Sequence, residues 1–383
     1  MPDRTNLLFV IHTAGVISGG AEKAFKELAV VMKDMGFCIY AVTSPYFSEK
    51  DTLRKAGIFV IERQLMHSYD PFQVLFLRSV IKKYGISLVM SSNPLSDFIS
   101  AAAARLTGIK HVLTVQATGR YGDLPIKGAM MRLKNIYMRY YDLFSLKNAS
   151  GIIAVSETIK KEILAVTALA GTGSKTIFIG NPVDCSVFSP LDRKALRKAH
   201  DIPDNRFIIG AGGRLTRQKG LEYLLGACAL LKRRRTDFLL LIAGDGPLKE
   251  KLVHQAGVQG LDNFVRFTGY SRKMNEFYNL CDIFVLPSLW EGMPLAVLES
   301  MACGVPAIAA EVSGIRETIK DGVNGWIVPC KDSQSIYLRL FEHINNPAAL
   351  PAVGKKARDF VLANYDSKVI ADKTSVYLRK ILS

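Results

Sequence analysis

The sequence has no C-x-x-C pair, no D-x-D triplet and no low-complexity tract. It also lacks any apolar run near the roughly 18 residues that a membrane-spanning helix needs. Each absence closes a class. The six cysteines (38, 185, 228, 281, 303 and 330) do not have the spacing of a zinc site and sit mostly among apolar residues. They read as reduced, buried thiols of a cytosolic protein. Without D-x-D, nothing points to a diphosphate held by a metal. The dinucleotide fingerprint G-x-G-x-x-G fails because Leu215 stands where its third glycine should be, and the Walker A pattern is missing. The apolar start NLLFVIHTAGVISGG is broken by His12 and followed by a glycine pair. That suits a first strand and its loop better than a secretory signal.

What is present is an ordinary globular composition, 49% hydrophobic and 22% charged over 383 residues, long enough for two domains. The net charge is +16, with +9 in residues 1–180 and +7 in residues 181–383. An excess spread over both halves does not mark a nucleic-acid-binding domain. It fits an anionic partner or simple solubility.

Short, almost continuously apolar runs alternate with helical patterns. The strand candidates are 7–11, 38–44, 87–92, 111–116, 151–156 and 176–181, then 207–213, 238–244, 264–269, 283–288 and 306–310. Continuous apolarity is the mark of parallel strands covered on both faces. Helical patterns fall between them, at 20–35, 71–84, 157–168, 219–233, 246–256, 294–303 and 332–346. The alternation predicts an α/β class with doubly wound parallel sheets. The stretch GNPVDCSVFSPLD (180–192) reads as a linker. It predicts two α/β units of similar size, 1–180 and 181–365. Ligands of such sheets bind beyond the carboxyl ends of the strands, so a cleft between the two domains is the expected site.

Three stretches carry possible chemistry. WEGMPLAVLES (290–300) places Glu291 in a loop and Glu299 inside the helix that Pro294 begins. The helix start offers free N–H groups and partial positive charge to phosphate or sugar oxygens. Gly292 lets a ligand come close to the backbone. The spacing also fits one loop Glu and one exposed helix Glu. GAGGRLTRQKGLEYLL (210–225) ends a strand in glycines and opens a helix near Lys219. Arg214 and Lys219 can hold a diphosphate there, the first as a fork and the second as a point charge. Two solvated cations on a turn is the other reading. VISGGAEKAFKELA (16–29) puts Gly19 and Gly20 at a helix start, which fits a ligand or merely a tight turn.

In order, GGAE, GNPVDCSVFSP, GGRLTRQKG, IAGDGPLKEKL, FTGY, DIFVLPSLWEGMPLAVLESMACGVPAIA and VNGWIVP resemble the retaining glycosyltransferases of family 4, which have the GT-B fold. The resemblance runs through most of the chain and is densest from 207 to 330. It implies two Rossmann-like domains facing a central cleft, an acceptor-side domain at 1–180 and a nucleotide-sugar-binding domain at 181–365, with a final helix at 366–383 returning to the first. It implies transfer of a sugar from a nucleotide-sugar, a UDP-sugar favoured, to a saccharide or lipid-linked acceptor, with retention and without a metal or other cofactor. Arg214 and Lys219 would hold the diphosphate, Glu291 would meet the transferred sugar and Glu299 the ribose. Backbone groups of Gly292, Met293, Pro294 and Leu295 would meet sugar and phosphate. Thr268, Gly269 and Tyr270 would border the base, and Gly19 and Gly20 would face the diphosphate from the other domain. Many members carry a His where Gln116 stands here, and Gln cannot serve as an acid or base at neutral pH. His111 lies at the wrong end of that strand, and no catalytic base is assigned.

The segment 124–149 mixes Lys127, Arg132, Lys134, Arg139 and Lys147 with aromatic and aliphatic residues, against Asp142 alone. It reads as a helix for an anionic membrane surface, or as a packed helix with a basic outer face. The first reading suits a cytoplasmic enzyme, peripheral on the inner membrane face, in surface-polysaccharide or lipopolysaccharide synthesis. An epimerase of the same fold and a non-catalytic binder of sugar nucleotides or nucleic acid remain as rivals. No nucleic-acid module is recognisable.

Overall fold

Thirteen strands pair into two sheets in a computed structural model that describes residues 5–11, 19–64, 70–117, 140–168 and 175–383. The first sheet contains β1 (Asn6–Ile11), β2 (Cys38–Thr43), β3 (Phe59–Glu62), β4 (Leu88–Ser91), β5 (Lys110–Val115), β6 (Gly151–Ala154) and β7 (Thr176–Phe178). Its order is β3-β2-β1-β4-β5-β6-β7, and its pairings are parallel. The second contains β8 (Phe207–Gly212), β9 (Phe238–Ala243), β10 (Val265–Gly269), β11 (Ile283–Leu286), β12 (Ala307–Ala310) and β13 (Gly325–Val328). Its order is β10-β9-β8-β11-β12-β13, again parallel. This is the α/β, doubly wound architecture that the apolar runs predict. The central strands β8, β9, β11 and β12 are buried at every position. A strand covered on both faces has no solvent side to alternate with.

The chain divides into one unit of Met1–Pro182 with Ser367–Ser383 and another of Val183–Asp366. In the second unit the helices Leu221–Lys232 and Ser333–Asn345 pack side by side against the sheet, burying Leu224, Leu231, Ile336 and Leu340. In the first unit the helix Ser367–Leu382 packs on the helix Gly20–Asp34. Its Tyr377 hydroxyl accepts from the Ile152 amide and donates to the Lys175 carbonyl.

Both sheets reverse their winding beside their first strand, β1 against β4 and β8 against β11. Connections leaving two such neighbours run to opposite faces, so their carboxyl ends open a crevice. In the second unit that crevice is bounded by the loops after β8 and β11, which carry GGRLTRQKG and LWEGMP. Among the described residues no helix is long and apolar enough to cross a membrane.

Candidate active site

The loops after β8 and β11 are locked together by backbone. Gly220 has a left-handed φ of +57°, and a Cβ on it would lie 2.1 Å from the Pro287 carbonyl oxygen. Only glycine permits that approach. The Leu289 amide donates to the Gln218 carbonyl at 2.8 Å, and Gln218 Nε2 donates to the Trp290 carbonyl at 3.0 Å. The chain therefore makes a 3-10 turn at Arg217–Lys219 before the helix starts at Leu221, two residues later than the pattern predicts. The turn points Lys219 across to the neighbouring loop.

There Lys219 Nζ lies 2.6 Å from Glu291 Oε1. Ser288 Oγ donates to the same oxygen at 2.7 Å, and Gln218 Nε2 reaches Oε2 at 3.4 Å. Glu291 is only 7% exposed. A carboxylate so removed from water requires a cation and donors, and it has both. This ion pair uses one of the three ammonium donors of Lys219. Arg214 sits on the same loop, exposed, and its guanidinium has no hydrogen-bond or ion-pair partner among the described residues. The structure thus brings Lys219 and Glu291 together and leaves Arg214 open to solvent.

Beyond Glu291 the loop turns into the helix Leu295–Ala302, with Pro294 at its N-cap. Gly292, Met293 and Pro294 are buried. Gly314 backs them, and a Cβ at its φ of +80° would meet the Gly292 carbonyl oxygen at 2.4 Å. Four residues past Leu295, Glu299 is half-buried rather than exposed, and Tyr278 OH donates to its Oε2 at 2.6 Å. Burial and the Glu299 carboxylate push the Tyr278 hydroxyl well above its ordinary pKa, so it stays a donor. The rings of Phe277, Phe284 and Phe188 pack around Tyr278. Ser288, Gln218 and Tyr278 are the supporting residues that the sequence reading misses. A Ser three residues before a loop Glu is a faint signal for the first, and Tyr278 gives none.

Thr268, Gly269 and Tyr270 lie at the end of edge strand β10. Thr268 Oγ1 donates to the Ile242 carbonyl at 3.3 Å, and the Gly269 carbonyl accepts from the Gly244 amide at 2.7 Å. Tyr270 is 47% exposed, so a ring face is open to stacking. Gly19 and Gly20 belong to the other unit. Gly19 caps the helix Gly20–Asp34 without a side-chain bond, and both are exposed. Gln116 follows β5 and lines a cavity of about 20 Å³ with Thr114 and Asn181. His111 is buried, with Nε2 2.8 Å from Ser91 Oγ, and holds β5 to β4. His12 and residues 124–139 of the basic segment lie outside the described residues. Among the described residues no group of three His, Cys, Asp or Glu could hold a metal.

Comparison with known proteins gives a consistent picture. Two family models match in succession, "Glycosyltransferase Family 4" over residues 18–187 and "Glycosyl transferases group 1" over residues 192–360. An uncharacterized glycosyltransferase of Methanocaldococcus jannaschii is 27% identical over 336 residues, 84% of each chain. The UDP-Gal:alpha-D-GlcNAc-diphosphoundecaprenol alpha-1,3-galactosyltransferase of Escherichia coli is 24% identical over 84% of this chain and 83% of its own. Among solved structures, Anabaena HepE in complex with UDP-glucose superimposes with a TM-score of 0.83 at 20% identity, covering 98% of this chain and 100% of its own.

Proposed function

From a chain that belongs to glycosyltransferase family 4 and has the GT-B fold, we propose a retaining hexosyltransferase that uses a UDP-sugar and needs no metal. Its acceptor is a saccharide or a lipid-linked saccharide of surface-polysaccharide synthesis. The observation that carries the reading is the Lys219–Glu291 pair, set at the β8/β11 crevice directly before the helix that holds Glu299. Diphosphoundecaprenol and UDP-Gal in the name of the galactosyltransferase, and UDP-glucose bound to HepE, support the choice of nucleotide and acceptor.

In this reading the bond between the anomeric carbon and the diphosphate breaks, and its electron pair goes to the phosphate oxygen. The acceptor oxygen forms the new bond and passes its proton to the leaving phosphate oxygen. Negative charge grows on the leaving phosphate. Arg214, the remaining N–H donors of Lys219 and the amides at the start of the Leu295–Ala302 helix stabilise it. Glu291 accepts from a hydroxyl of the transferred sugar while its own charge is held by Lys219 and Ser288. Glu299, fixed by Tyr278, accepts from the ribose hydroxyls. Thr268, Gly269 and Tyr270 flank the base, and Gly19 and Gly20 contribute amides to the diphosphate. Removing one donor of this kind costs about 10²–10³ in rate.

Calorimetry with UDP-, GDP- and ADP-sugars tests the donor site. The expected result is binding of the UDP series, weakened at least about tenfold in Lys219→Ala and in Glu299→Ala. Absence of binding by every sugar nucleotide at millimolar concentration overturns the reading. Activity lost to EDTA and restored by Mn²⁺ overturns the metal-free part alone.

A further inference from the structure

The sequence has two tryptophans, and the fold treats them in opposite ways. Trp326 is 6% exposed, and its ring stacks on His343 at 3.8 Å. Trp290 is 45% exposed, in the loop after β11 that bounds the crevice of the second unit. The backbone around it is pinned on both sides. The Leu289 amide donates to the Gln218 carbonyl at 2.8 Å, and Gln218 Nε2 donates to the Trp290 carbonyl at 3.0 Å. The flanking side chains are drawn in, Leu289 half-buried against Gly220 and Glu291 buried on Lys219. The indole between them is turned out to solvent. A large, rigid ring on a pinned backbone loses little conformational freedom when something packs on it.

We propose that Trp290 is a stacking platform for a hexopyranose ring at the crevice. The inference rests on the proposed function and adds a residue that the function leaves unused. A pyranose carries hydroxyls around its edge and C–H groups on its faces. The edge requires hydrogen-bonding groups, which Glu291 supplies. A face requires flat apolar surface, which the indole supplies beside it. One side chain holds both residues, since Gln218 Nε2 also reaches Glu291 Oε2 at 3.4 Å. A nucleobase is flat as well, but the order of the sheet keeps it away. The proposed function puts the base at Tyr270, beyond β10, and β9 and β8 separate β10 from β11. Three strand spacings are roughly 14 Å. The base end of a sugar nucleotide thus lies on one side of that span and the sugar end on the other. Two hexoses can meet Trp290 there, the one carried by the donor and one belonging to a saccharide acceptor.

The test uses the intrinsic fluorescence of the full chain, in which Trp326 is shielded and Trp290 is open to solvent. Wild type is titrated with UDP, with UDP-glucose and UDP-galactose, and with methyl α-glucoside and methyl α-galactoside in the presence of UDP. A hexose on the indole is expected to shift its emission and protect it from acrylamide beyond what UDP does. Trp290→Ala is expected to bind UDP within about twofold of wild type and the hexose-bearing ligand about three- to tenfold more weakly. Trp290→Phe is expected to recover most of that loss. A loss with the UDP-hexoses relative to UDP assigns the platform to the donor's ring. A loss confined to the methyl hexosides assigns it to the acceptor's. The proposal is overturned if Trp290→Ala binds all of these ligands as wild type does. It is equally overturned if the substitution weakens UDP as much as the UDP-hexoses, because Trp290 then only supports the loop. If wild type binds neither UDP nor a UDP-hexose, the donor reading falls and takes the platform with it.

Discussion

Tyr278 has no charge and no place in a motif, yet it bonds one of the two carboxylates of the proposed site. Its hydroxyl donates to Glu299 at 2.6 Å from a fully buried ring. A hydrogen bond to a charged group is worth about 1.5–3 kcal/mol. Tyr278→Phe keeps the ring packing and deletes that bond. We expect it to raise the sugar-nucleotide Kd by about tenfold or more, with kcat at saturating donor changed less. Calorimetry beside a KM and kcat measurement checks this, and equal falls in kcat and kcat/KM would assign Tyr278 to the chemical step instead. The same residue marks the limit of reading a sequence. Arg214, Lys219 and Glu291 stand out because each is a charged residue beside a glycine, and Glu299 because the ordered motifs resemble the family's. Tyr278 sits in MNEFYNL, where an aromatic reads as core. It is core, and it is also a donor. Only the fold brings it to a carboxylate 21 positions further along the chain.

At the scale of elements, the site depends on two loops being closer than side chains allow. Gly220 is the contact, with its left-handed backbone against the Pro287 carbonyl. Gly220→Ala meets both a strained φ and a clash with backbone that cannot swing away. It is expected to destabilise the chain by about 1–3 kcal/mol and to shift Lys219 away from Glu291. Thermal unfolding with and without sugar nucleotide checks this, the expected result being a lower Tm and a smaller ligand-induced rise. Eleven of the strands were legible, the central ones because a doubly covered strand is continuously apolar. The strands β3 and β13 were not. Each has four residues, β3 is an edge strand with its ends exposed, and β13 begins with a glycine. The helix Pro94–Thr107 escaped for another reason. Its buried face is built largely from Ala and Ser, so it carries little of the large-residue periodicity by which helices are recognised.

For the whole molecule, pH acts through a buried histidine of the first unit. His111 is fully buried, and burial, helped by the Lys175 cation, lowers its pKa from 6.5 to about 3. The folded chain therefore leaves His111 neutral above about pH 3, while the unfolded chain protonates it below about 6.5. The unfolded state binds the extra proton in that window, so stability is retained above it and lost as pH falls through it. The slope is about 1.4 kcal/mol per pH unit for one such group. Urea unfolding between pH 7 and 5 is expected to show it, and His111→Asn to reduce it. The final helix has a different consequence. Residues 367–382 complete the first unit by packing on the helix Gly20–Asp34, but they are made after the entire second unit. The second unit is one uninterrupted stretch, and all of it has been translated while the first still lacks its last helix. Synthesis thus reverses the order of the sequence. Of the two units, the one that begins first is finished after the other, and a ribosome that stalls or terminates before residue 367 leaves the first unit with an apolar surface uncovered for chaperones and proteases to find.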